Sequence, residues 1–230
     1  MGLRKVPFVE GEFYHVFSRG NSKQKIFFDD FDRDRFAKLL YLYNSKISID
    51  FREDIVRPGI EAWSFDRCEP IVYIGAWTLM SNHFHIYLTP SKLRKSDFRK
   101  NQITEFMRKL LTSYSKYINA KYQRTGGLFE GKFKATHTTN EPQAKYNFSY
   151  IHLNAIKLID TKWRENGIKD LKKALEFLAN YKWSSYLDYK GIIRPENKIL
   201  DREFFIQYIN DVKDFDTGII EWLKFSEDKC

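Results

Sequence analysis

Thiols are scarce in this chain. Only two cysteines occur among 230 residues, Cys68 and the terminal Cys230, which leaves neither a disulfide framework nor a thiolate metal site. No segment approaches the roughly 20 consecutive apolar residues that cross a bilayer. The opening MGLRKVPFVEGEF lacks the apolar run of a secretion signal, and Gly2 is not followed by the Ser or Thr that a myristoylation signal requires. These absences point to a soluble protein of the reducing cytoplasm, without membrane attachment. Glycine-rich phosphate loops are missing as well, since Gly20 and Gly126-Gly127 match no such spacing, so no nucleotide cofactor is expected. Internal repeats and low-complexity segments are also absent.

What is present is apolar and aromatic mass, 43% and 17% of the chain, enough for one good core but short for two domains. The expected organisation is one domain over residues 1–190 with a C-terminal extension over 191–230. Charge is unevenly spread. Between positions 92 and 134 twelve Lys or Arg stand against Asp97, Glu105 and Glu130, a local net of +9 that equals the net charge of the whole chain. A concentrated basic stretch fits a surface that meets phosphates, as at nucleic acid, although a solvated lysine-rich helix face reads the same way from composition.

Phe13-Tyr14-His15-Val16-Phe17-Ser18, followed by Arg19-Gly20-Asn21, reads as a strand entering a turn. Helical spacing of Phe36, Leu39, Leu40 and Tyr43 behind Asp29 and Asp30 predicts a first helix over 31–43. Residues 45–70 show no period and read as an irregular insertion. The apolar run 71–79 and the alternating stretch from His83 to Leu88 predict a hairpin of two strands. A stripe from Ile103 through Phe106, Leu110 and Tyr114 to Ile118 predicts a long helix between 98 and 124. Residues 128–138 look extended. Helices are then expected over 142–157, with Pro142 in its first turn, and over 171–180, followed by a mixed tail. Hairpin strands interrupted by long helices argue for an α+β fold, an antiparallel sheet with helices packed on one face.

Two features could carry chemistry. His83 and His85 alternate with Phe84 and Ile86, so the two imidazoles share one strand face and can offer nitrogens to a single divalent ion. Alone, such a pair is equally a harmless polar face. In the helix from Pro142, Gln143, Asn147, Tyr150, Asn154 and Lys157 form one stripe that sets a hydroxyl and an amide one turn apart. Among fourteen tyrosines, however, periodicity cannot choose Tyr150 over Tyr114, Tyr117 or Tyr122. His15 and His137 fall on predicted strands, where a structural role is the default, and His152 is rotated off the face of Tyr150 and Asn154.

Taken in order, the segments Tyr14-His15-Val16 to Arg19-Gly20-Asn21, Leu79-Met80-Ser81-Asn82-His83-Phe84-His85, Gly127-Leu128-Phe129-Glu130-Gly131-Lys132-Phe133-Lys134 and Tyr150-Ile151-His152-Leu153-Asn154 resemble the single-tyrosine HUH transposases, in particular the REP-associated tyrosine transposases. The resemblance runs from about residue 12 to Trp183-Ser184-Ser185-Tyr186. Departures touch Met80-Ser81-Asn82, Asn154-Ala155-Ile156 and Lys132-Phe133-Lys134, where the family often has Met-Pro-Asn, Asn-Pro-Val and Arg-Tyr-Lys. They bear on subfamily and DNA specificity.

The resemblance implies a ferredoxin-like HUH nuclease sandwich. It also implies that His83, His85 and Asn154 ligate a divalent metal, Mg2+ or Mn2+, and that Tyr150 is the nucleophile. The implied activity is cleavage and rejoining of single-stranded or hairpin DNA through a 5′-phosphotyrosine intermediate, without ATP. Arg19, Arg99, Lys100, Arg124, Lys132 and Lys134 are the candidate DNA contacts. A monomer is slightly favoured over a homodimer. Two rival readings stand beside this one: a non-catalytic DNA-hairpin binder derived from a transposase, and a metallohydrolase that activates water with the same histidines.

Overall fold

A computed structural model describes residues 7–93, 101–205 and 212–225. Four antiparallel strands, β1 (Phe13–Arg19), β2 (Val72–Leu79), β3 (His83–Pro90) and β4 (Lys134–Thr138), form one sheet in the order β2-β3-β1-β4. The predicted hairpin is β2–β3. β1 then pairs with β3, setting Arg19 opposite His83 and Phe17 opposite His85. Alternation sends Tyr14, Val16, Phe84, Ile86 and Leu88 to one face and His15, Phe17, Arg19, His83, His85 and Tyr87 to the other.

The first face is covered as expected by α1 (Asp30–Leu42) and α2 (Gln102–Lys121), whose Phe36, Leu40, Phe106, Leu110 and Tyr114 join its residues in one core. Asp29 caps α1 by accepting from the Asp32 amide. Asp32 is itself fully buried, and Tyr117, Tyr122 and Lys121 of the far end of α2 all donate to its carboxylate, tying the two helices together.

On the second face the chain adds a layer. α3 (Glu141–Leu153), capped by Asn140 with Pro142 in its first turn, packs Phe148 and Ile151 into a core with Ala76 and Tyr87. Helix α3 stops at Leu153 and tightens into a 3-10 turn over Asn154–Leu158, so it is shorter than the sequence predicts. The short α4 (Trp163–Asn166), α5 (Leu171–Asn180), α6 (Tyr186–Tyr189) and α7 (Val212–Phe225) complete this layer. Of these only α5 is legible as a helix in the sequence. Within the stretch 45–70 two single turns form, Phe51–Val56 and Ala62–Ser64. Its ends are held by buried Asn44, whose side-chain oxygen accepts from the Ile71 and Val72 amides. No described helix is long and apolar enough to cross a membrane.

His152 joins α3 to the sheet. Its Nδ1 lies 2.9 Å from the Phe148 carbonyl, which can only accept, so Nδ1 carries the proton and Nε2 accepts from the Ser185 hydroxyl at 2.7 Å. Burial pushes this imidazole down to about 3. Because the folded value lies below the unfolded one, the unfolded chain binds the extra proton, and stability is lost as pH falls from about 6.5 toward 3. Urea unfolding at about pH 7 and about pH 5 is expected to show His152→Gln less stable at the higher pH. Its decline with acid should be shallower than wild type by up to about 1.4 kcal/mol per pH unit. Parallel declines would refute the assignment.

Candidate active site

The second face is open over β3, β1 and β4 beside α3. There His15, Phe17, Arg19, His83, His85, Lys132, Lys134, Tyr150 and Lys157 line a cavity of about 500 Å³, together with Lys23, Asn82 and Glu130. The strand pair supplies the histidines and α3 lowers Tyr150 onto them. The Tyr150 ring centroid lies 5.6 Å from that of His85 and 5.7 Å from that of His15, both edge to face. Tyr146, one turn earlier, stacks on Tyr150 at 5.7 Å and 10°.

Of the two candidate histidine ligands, His83 has a readable tautomer. The Asn82 amide nitrogen donates to the Lys23 carbonyl at 3.0 Å, which turns its oxygen toward His83 Nδ1 at 2.6 Å. His83 Nδ1 therefore carries the hydrogen and Nε2 keeps its lone pair. His85 is buried, with Nδ1 2.8 Å from His15 Nε2 and with Nε2 buried and unpartnered. Burial pushes His83 down to about 4 and His85 well below the ordinary range, and neighbouring cations act in the same direction, so both imidazoles are neutral near pH 7.

Asn154 is fully buried, and both its amide atoms lack a partner. It does not line the cavity. An orphaned amide costs on the order of 1–3 kcal/mol in a fold, and an orphaned imidazole nitrogen is comparably costly. Orphaned His85 Nε2 and Asn154 Oδ1, with the bare His83 nitrogen, are the donor types a divalent cation takes. Among the described residues no group of three His, Cys, Asp or Glu is arranged for a metal.

Positive charge rings the tyrosine. The Lys157 ammonium lies 5.8 Å from the Tyr150 ring centroid and the Arg164 guanidinium 4.9 Å from it, and Arg164 also donates to the Tyr146 hydroxyl at 2.9 Å. Burial, and then Arg164, hold Lys157 below the usual lysine range.

Of the DNA-contact candidates, Arg19, Lys132 and Lys134 line the cavity. Arg124 does not; its guanidinium donates to Gln24 and sits over Phe28. Arg99 and Lys100 lie outside the described residues. His15, read from sequence as structural, stands in the cavity wall. Only the pairing of β1 with β3 shows this, although its odd-numbered kinship with Phe17 and Arg19 on one strand face was available. Arg164 carried no signal at all, because α4 is a single turn. His137 pairs with Glu12 at 2.7 Å, and His152 is buried away from the cavity.

No family model matches this chain, and no curated protein does. Among solved structures, that of a REP-associated tyrosine transposase bound to a REP hairpin aligns over 85% of this chain and 90% of its own, at 12% identity and a TM-score of 0.48. At such a distance, function rests on the site's own geometry.

Proposed function

We propose that this protein is a metal-dependent single-stranded DNA endonuclease and strand transferase in which Tyr150 is the nucleophile. The observation that carries the reading is the meeting of Tyr150 with His85 across one basic cavity, 5.6 Å between ring centroids. A half-buried phenol beside two neutral imidazoles suits a nucleophile next to a metal site.

His83, His85 and Asn154 would hold Mg2+ or Mn2+. Once bound, the ion supplies Lewis-acid stabilisation of charge on the scissile phosphate. In the reaction the Tyr150 oxygen bonds to phosphorus as the bond from phosphorus to the 3′ oxygen breaks. The phenol loses its proton and the departing 3′ oxygen gains one, leaving a 5′-phosphotyrosine and a free 3′-hydroxyl. The phosphoester is conserved, so another 3′-hydroxyl can reverse the step and join strands. Tyr146 holds the ring by stacking, and Lys157 and Arg164 put positive charge where the phosphate would lie.

Single-stranded or hairpin DNA is the substrate this site favours, since a tyrosine set over a sheet face needs a flexible strand led to it past Arg19, Lys132 and Lys134. The defining test is covalent. Wild-type protein incubated with 3′-end-labelled hairpin DNA and Mn2+ is expected to carry label through a denaturing gel; tight binding without transfer would instead favour a non-catalytic hairpin binder.

The basic wall makes a separate forecast. Replacing Lys132 and Lys134 together with alanine is expected to weaken binding of unrelated single strands alike and to flatten the slope of log affinity against log salt by about 1.4, roughly 0.7 per lost phosphate contact. Fluorescence anisotropy over a salt series measures this, and an unchanged slope would remove both lysines from the interface.

A further inference from the structure

His15 reaches from β1 to the back of His85 on β3, with Nε2 and Nδ1 2.8 Å apart. We infer that His15 is a positioning residue: by accepting a hydrogen bond from His85 Nδ1, it selects the His85 tautomer that turns a bare Nε2 toward the metal site. This deepens the metal reading and rests on it, although the tautomer can be measured apart from it.

Two arrangements of the shared hydrogen are open to a pair of neutral imidazoles. If His15 Nε2 donated, His85 would have to carry its own hydrogen on Nε2. That atom is buried and has no acceptor, so the arrangement strands an N–H in the interior. If His85 Nδ1 donates, Nε2 keeps a lone pair, and the orphaned atom becomes a ligand awaiting a cation.

Geometry restrains the ring further. Phe17, directly opposite His85 in the strand register, lies 5.7 Å from its ring, and Tyr150 lies edge-on at 5.6 Å. His83 is served differently, by Asn82 from its own turn at 2.6 Å. Each of the two histidines thus has its own orienting partner, one local in sequence and one brought from 70 residues away. Such partners typically govern metal affinity by 10–100-fold.

The test has two independent readouts. Long-range nitrogen–proton correlation NMR of the imidazole-labelled, metal-free protein is expected to show His85 protonated on Nδ1 and bare on Nε2; protonation on Nε2 would overturn the inference whatever the metal does. Calorimetric titration with Mn2+ is expected to show His15→Phe binding on the order of 10–100-fold more weakly than wild type, and His15→Gln recovering most of the loss because its side-chain oxygen can accept from Nδ1. Equal affinity of wild type and His15→Phe would refute the positioning role. Absence of Mn2+ binding by the wild type would instead sink the metal reading, and the NMR result would still decide the tautomer.

Discussion

Tyr150→Phe is expected to abolish DNA cleavage, with single-turnover rates in Mn2+ falling on the order of 10⁴-fold or more, about 5.5 kcal/mol of transition-state stabilisation. The substitution removes one oxygen and nothing else. Ring packing against Tyr146, His15 and His85 persists, because those contacts are between ring faces and edges. Affinity for hairpin DNA should therefore change little, and the protein should still bind Mn2+. Tyr146→Phe makes the control: it loses the hydroxyl that Arg164 donates to while keeping the stack, so cleavage should survive with a modest loss. Retained cleavage by Tyr150→Phe would mean that water is the nucleophile and that the site belongs to a metallohydrolase.

Arg194→Met is expected to cost about 3–5 kcal/mol of stability, read as a fall in the urea midpoint. Asp188 is fully buried on α6, and Arg194 grips it with two hydrogen bonds, Nε to Oδ1 at 3.0 Å and Nη2 to Oδ2 at 2.6 Å. The same guanidinium also donates to the Lys182 and Ser184 carbonyls. Methionine fills much of the volume but leaves a buried carboxylate without its cation, and that uncompensated charge dominates the loss. The site would feel it. Ser184 and Ser185 brace β2 through Thr78 and Trp77, and Thr78 is the register partner of His85. A loss below about 1 kcal/mol would show that water reaches Asp188 and screens it.

Much of the sheet was legible because period-2 alternation is a strong signal when one face meets a core. The β2–β3 hairpin follows from adjacent apolar and alternating runs, and α1 and α2 follow from their apolar stripes. The second layer was harder. α4 and α6 are four residues each, too short for a periodic pattern, and α3 keeps its stripe only to Leu153 because the following turn tightens. Residues 45–70 lack a period because Ile49, Ile55, Ala62 and Trp63 enter the core from largely irregular backbone, and the ends are tied by single side chains, Asn44 and Arg67, bonded to backbone.

By itself the sequence determined that His83 and His85 share a strand face and that Tyr150 and Asn154 lie one helical turn apart, since both follow from the geometry of a single element. Which tyrosine of fourteen meets the histidines was decided by the docking of α3 on the sheet, a long-range packing event that no local spacing encodes. Tertiary structure likewise decided the role of His15. Its bond to His85 exists only because β1 pairs with β3 in one register, and a slip of one residue would turn it into the opposite core.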